Sequence, residues 1–281
     1  MGDGVEQGFY IRQGVMSDPG DHAAAFDGLP GDVAGLCAIV QGILLHDYSG
    51  GLLYGEPPAD FSTHSRATLP VAERLAAILK RDPRPLPQAR SPFERCVGTC
   101  RDYALMLTAM LRHQGTPARV RCGFARYFGG GFDDHWVCEY WKAGEGRWAL
   151  ADPQLDGEHL AHHAIAFDIA DMPRDRFLLA FEVWDAIAAG ADAEAFRHGD
   201  DCGLWFVEVN LARDLLSLAG QERSEWDGWR SSQPADRHLD AGRLAVAASM
   251  ADRARACSGL RGPDMAGGGA EGLPPPPPWS R

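Results

Sequence analysis

Gly98-Thr99-Cys100-Arg101-Asp102-Tyr103-Ala104 is the stretch on which the reading of this chain turns. A glycine turn runs directly into an amphipathic run, so Cys100 opens a helix, where unpaired amide N–H groups favour negative charge. With a cation nearby, the pKa of a thiol so placed falls from about 8.5 to roughly 3.5–7.5. From Cys100 onward Ala104, Leu107, Thr108 and Leu111 recur at helical spacing, which carries the thiol on the buried stripe. Gly115 stops that helix and Pro117 opens the next element. Ala118, Val120, Cys122 and Phe124 then alternate with Arg119, Arg121 and Gly123, the pattern of a strand. Two aromatic-rich strands follow, over 135–141 and 147–152, divided by the turn Ala143-Gly144-Glu145-Gly146.

Those strands supply the other parts of a base-activated nucleophile. His135 lies in Asp133-Asp134-His135-Trp136-Val137-Cys138, and Asp152 closes Arg147-Trp148-Ala149-Leu150-Ala151-Asp152-Pro153. In such a triad the imidazole takes the thiol proton, and the carboxylate fixes the ring's tautomer and orientation. A sheet packed on the Cys100 helix would present His135 and Asp152 to the thiol. Each residue also has a plainer reading. A cysteine on an apolar face is usually a small buried hydrophobe, a strand histidine a satisfied core or surface group, and Asp before Pro a turn initiator. The three together, in order, favour the catalytic reading.

The same segments resemble the core of the transglutaminase-like family, a branch of the papain-like cysteine enzymes. Gly98-Thr99-Cys100-Arg101-Asp102-Tyr103-Ala104 matches its nucleophile segment, and His135-Trp136 matches its strand histidine followed by an aromatic. Trp148-Ala149-Leu150-Ala151-Asp152-Pro153 matches its closing strand, and Leu111 to Arg119 resembles the helix end that precedes the first strand. The resemblance spans residues 92–156. It implies an α+β fold with a papain-like core, the nucleophile helix packed on an antiparallel sheet, and extra helices before and after. It also implies Cys100 as nucleophile, His135 as base and then acid, and Asp152 as orienter. The expected reaction is acyl transfer on an amide bond through a thioester, as hydrolysis of a peptidase or amidase kind. The alternatives are an amide-forming acyltransferase of metabolites or proteins, and a non-catalytic module that binds peptides or a protein.

Composition sets the context. The 281 residues are 45% hydrophobic and 23% charged, which suits a globular chain. Lys plus Arg total 27 against 39 for Asp plus Glu, a formal charge of −12 that argues against nucleic acid or an anionic membrane as partner. The expected partner is a peptide, protein or small amide substrate. No membrane span or signal pattern is apparent, and seven scattered cysteines do not read as a disulfide framework, so a cytoplasmic location is expected. No metal or other cofactor is expected: Cys96 and Cys100 lack a complementary pair, and His159, His162 and His163 read as a polar loop or helix face.

The remaining chain divides into three. Residues 1–30 read as a loosely packed segment, 31–261 as one transglutaminase-like domain, and 262–281 as a disordered Gly/Pro-rich tail. Within the domain, Asp32 caps a helix over 33–47, and Thr68 caps another over 69–82. The Pro-rich link 82–88 leads to Gln88, Arg90 and Arg95, candidates for the cleft or for structural ion pairs. Met172 to Ala189 reads as helix, Gly203 to Val209 as a buried strand or apolar plug, and 238–257 as helix. Trp226, Trp229 and Glu222 suggest a lid. Arg119 and Arg121 either grip a substrate carboxylate or form ion pairs on the sheet surface, and Asp133 and Asp134 read as solvated loop carboxylates.

Overall fold

The structure is a computed structural model that describes residues 8–58, 70–223 and 237–259. In chain order it holds α1 (Val33–Ile43), β1 (Leu44–His46), α2 (Ser49–Tyr54), α3 (Val71–Arg81), β2 (Cys96–Gly98) and α4 (Cys100–His113). There follow β3 (Ala118–Ala125), β4 (Phe132–Lys142), β5 (Arg147–Ala151), α5 (Gly157–His162), β6 (Phe177–Leu179) and α6 (Ala180–Ala188). The last are β7 (Phe196–His198), β8 (Asp201–Cys202), α7 (Leu204–Leu218) and α8 (Ala241–Gly259).

Side-chain alternation along β3, β4 and β5 builds two cores, one on each side of the sheet. Val120, Cys122, Trp136, Cys138, Tyr140 and Ala151 pack with α1, α3 and α4. Val137 and Leu150 pack with α6, α7 and α8. β3 and β4 run antiparallel with Gly123 opposite His135, and β5 continues against β4 with Cys138 opposite Ala151. β6 borders β3 on its other edge, also antiparallel. β7 joins the start of β4 in parallel, and β8 pairs with β7. The expected α+β architecture, a nucleophile helix seated on an antiparallel sheet with further helices around it, is the one observed.

α4 is buried from Cys100 through Arg112, so its polar side chains all need partners inside the protein. The Thr108 hydroxyl donates to the Ala104 carbonyl at 2.8 Å. Arg112 donates to the Ala118 carbonyl at 2.8 Å and to Ser17 Oγ at 2.9 Å. Gly115, at φ 79°, ends the helix in the left-handed conformation that glycine adopts without strain.

Three elements differ from expectation. α1 starts after the Asp32 cap, whose carboxylate accepts from the Gly35 N–H, but stops at Ile43. Leu44 to His46 instead pair in parallel with Cys96 to Gly98. Within the 172–189 segment a short turn at Arg174–Arg176 leads into strand, because β6 completes the edge of β3 before α6 begins. The apolar run after Gly203 is the start of α7, not a strand or plug. That helix is covered on nearly every side by the sheet and by α6 and α8, so its sequence lacks the polar face that marks a surface helix. Within the stretch expected to be loosely packed, Tyr10 and Phe26 are fully buried, and the Tyr10 hydroxyl donates to the Leu218 carbonyl. Thr68, Trp226, Trp229 and the 262–281 tail lie outside the described residues.

Arg119 and Arg121 are fully buried under α7 and α8, neither on the sheet surface nor in a cleft. Arg121 grips Asp214 with two bonds, at 2.9 and 2.8 Å, and reaches Glu139 at 2.6 Å. Arg119 meets Glu139 at 2.7 Å and stacks over Trp148 at 4.0 Å. Planar guanidinium forks suit such sites because they satisfy two carboxylates at once.

Two measurements test this frame. Gly123 leaves room for β6: a Cβ there would collide with the Leu178 carbonyl oxygen. Gly123→Ala is expected to cost about 1–3 kcal/mol in urea unfolding, and an unchanged midpoint would contradict the close approach. Burial alone would raise the Glu139 carboxyl, but the facing Arg119, Arg121 and Arg174 hold it down to about 2. Its folded pKa lies below the unfolded value of 4.5, so its stabilisation is complete above 4.5 and is lost as pH falls toward 2. Unfolding free energy should drop across that window, by on the order of 3 kcal/mol from this group.

Candidate active site

Gly98 ends β2 and Cys100 begins α4, so the thiol stands at a tight strand-to-helix turn whose first amides face outward along the helix axis. The turn is tied at several points. Asp102 Oδ2 accepts from the Thr99 N–H at 2.9 Å and meets Arg74 Nη2 at 3.0 Å. Asp102 Oδ1 accepts from Arg101 Nη1 at 3.0 Å, and Arg74 Nη1 donates to the Val97 carbonyl at 2.6 Å. Arg101 also donates to the Glu222 carbonyl, at 2.9 Å from Nε. Arg74, Arg101 and Asp102 are all buried, so this is a closed charge network and not a solvated surface pair. Gly98 makes room for it, since a Cβ there would approach Asp102 Cβ to 3.1 Å. Arg101 and Asp102 thus hold the loop. Arg74 was not apparent from the sequence: it shares the buried stripe of α3 with Val71, Leu75 and Ile78, but its partner Asp102 lies far along the chain.

Cys100 itself is 9% exposed, a narrow opening to solvent. His135 and Asp152 are brought together: the ring Nε2 lies 2.8 Å from Asp152 Oδ2, with both side chains buried. The Tyr127 hydroxyl donates to the same oxygen at 2.6 Å, and the Gln154 N–H donates to Asp152 Oδ1 at 3.0 Å. Burial works against the Asp152 charge, yet His135, Tyr127 and the Gln154 amide together hold its pKa below the ordinary carboxylate value. A carboxylate only accepts, so the His135 Nε2 carries the proton in this bond. Burial raises the Tyr127 hydroxyl well above its usual value, and negative charge on Asp152 and Cys100 adds to the effect. Cys100 therefore lies within electrostatic reach of Tyr127. The Phe128 ring stands edge-on to His135 at 5.0 Å and Tyr127 at 6.0 Å, forming an aromatic wall. Trp136, next to His135, is buried in the same core as Cys100.

Other candidates fall elsewhere. Asp133 and Asp134 belong to β4, and Asp134 is buried 3.5 Å from Arg213, so neither is a solvated loop carboxylate. Arg90 is buried and gathers the carbonyls of Asp82, Arg84 and Gln88, which makes it the fastener of the Pro-rich link. Gln88 is exposed. Arg95 stands 3.7 Å from Asp156 and over the Tyr54 ring. Among the described residues no group of three or more His, Cys, Asp or Glu side chains is arranged to hold a metal ion.

Tyr127→Phe isolates one support of the carboxylate. It is expected to cost about 1.5–3 kcal/mol in denaturant unfolding, as for a hydrogen bond to a charged group. Because that bond favours the ionised form, its loss should also raise the Asp152 pKa, read by carbon-13 NMR titration. An unmoved carboxyl resonance would contradict the arrangement.

Residues 71–153 match the model of the transglutaminase-like superfamily. No curated protein matches the chain. Among solved structures, a candidate cysteine protease from Cytophaga hutchinsonii aligns at 14% identity and a TM-score of 0.34. The alignment covers 60% of this chain and 44% of that one, so the chain spans under half the length of that structure. The matched stretch runs from the first residue of α3 to the turn after β5 and includes Cys100, His135 and Asp152.

Proposed function

We propose that the chain is a cysteine-dependent enzyme that cleaves amide bonds through a thioester, with Cys100, His135 and Asp152 as its triad. The observation that carries this reading is the committed state of His135. Its Nε2–H is held by a buried carboxylate that Tyr127 and a backbone amide also brace, so the ring presents Nδ1 as the base.

In this reading His135 Nδ1 takes the Cys100 proton, and the thiolate is favoured by the imidazolium and by the first-turn amides of α4. Sγ attacks the amide carbonyl, and the oxyanion is received by the backbone N–H of Cys100. His135 then protonates the departing amine, leaving a thioester on Cys100. Water activated by the same imidazole releases the acid and restores the thiol. An amine entering in place of water would give amide transfer, with the same residues in the same roles. A cytoplasmic setting is supported by the cysteines, none of which is disulfide-bonded in the described residues.

The test is alkylation by iodoacetamide as a function of pH, read cysteine by cysteine by mass spectrometry. Burial raises Cys37 well above its usual value and Cys138 to about 12, and raises Cys96. A hydrogen bond to Glu194 raises Cys202. Cys100 is therefore expected to react first at pH 7, and His135→Ala to slow it by about tenfold or more. Equal labelling of Cys100 in the two proteins would overturn the triad. With the triad intact, supplying amide substrates with and without excess amine separates hydrolysis from transfer by the product formed.

A further inference from the structure

A second proton relay lies outside the triad, where α2 meets α5. His159 is buried, with Nδ1 2.8 Å from Asp156 Oδ1 and Nε2 3.2 Å from Ser49 Oγ. Burial opposes the Asp156 charge, but hydrogen bonds from His159 and Tyr54 hold its carboxyl down to about 2. Asp156 is thus an anion that can only accept, so Nδ1 carries the proton and Nε2 is the lone-pair nitrogen facing the Ser49 hydroxyl. Asp156 Oδ2 is braced in turn by the Tyr54 hydroxyl and by Arg95 at 3.7 Å. The Ser49 backbone is also held, since its N–H donates to His46 Nδ1 at 3.3 Å. That acceptor role requires an unprotonated nitrogen, and burial keeps the His46 ring neutral down to about pH 3.

The order of atoms, hydroxyl to Nε2 and Nδ1 to a buried carboxylate, is that of a serine nucleophile with its base and orienter. The relay also adjoins the Cys100 turn. His46 pairs with Gly98 across β1 and β2, its ring lies 6.5 Å from Tyr103 of α4, and it feels the charges of both His135 and His159.

The geometry points to Ser49 as a second nucleophile, with His159 as its base and Asp156 as the orienter, acting on ester-type acyl donors. Ser49 Oγ would bond to the ester carbonyl carbon while its proton passes to His159 Nε2. The carbon–oxygen bond to the alcohol then breaks, and the alcohol leaves with that proton. Water, deprotonated by the same nitrogen, releases the acid and returns the proton to Ser49. This inference does not depend on Cys100.

The experiment treats the full chain and its Cys100→Ala variant, in parallel, with a fluorophosphonate probe and locates the adduct by peptide mass spectrometry. An adduct on Ser49 in both is expected, absent in Ser49→Ala. His159→Gln is the decisive variant, because a glutamine amide can still bridge Ser49 and Asp156 but cannot take a proton. Labelling about a hundredfold slower in that variant supports the base role. No Ser49 adduct, or labelling of the Gln variant at the parent rate, would overturn it and leave a structural clasp. The Cys100 triad is judged separately by alkylation, so the two readings fail independently.

Discussion

The Asp152 carboxylate is the most demanding group in the molecule. It has no exposed surface, so it stays charged only while every nearby donor points at it. One comes from the imidazole of β4, one from the phenol just past β3, and one from the backbone of its own turn. Three separate segments must therefore arrive within hydrogen-bond distance together, which couples the register of β3, β4 and β5 to the orientation of the His135 ring. A one-residue slip of β5 would turn the carboxylate to the opposite face and strand a buried charge.

Charge is buried on both sides of the sheet, but for different ends. On the α7 side, Arg119, Arg121, Glu139 and Asp214 neutralise one another and lock the helix to the strands. On the α4 side, Arg74, Arg101 and Asp102 fasten the turn around Cys100. Fixed side-chain partners around the Cys100 turn are what a preorganised nucleophile requires. Position 101 shows the economy of the motif: its guanidinium pairs with the next residue and holds the chain at Glu222.

The core was legible where periodicity is clean. The α4 stripe from Cys100 to Leu111 and the alternation from Ala118 to Cys122 are both regular because polar residues such as Arg101, Asp102, Arg119 and Arg121 interrupt the apolar positions, although both elements are buried throughout. α7 was illegible because it opens on the unbroken apolar run Leu204 to Val207, and such a run does not distinguish helix from strand. β1 and β6 are three residues each, too short for any period, and exist only because β2 and β3 offer them hydrogen bonds. The partnership of His135 with Asp152 followed from motif order. Arg74, the Tyr127 bond and the Ser49–His159–Asp156 relay arise from tertiary contacts between segments far apart in the chain, and no local pattern announces them.

Glu222 has a consequence for how this protein can vary. Its carbonyl receives Arg101 from the start of α4, and its carboxylate lies 3.4 Å from Arg112 near the end. The two arginines are eleven residues apart, about three full turns, and so share one face of the helix. A single residue thus works as a gauge of helix length. An insertion or deletion anywhere between them rotates one arginine by about 100° away from it. Changes of length in that interval are therefore barred, whatever the side chains.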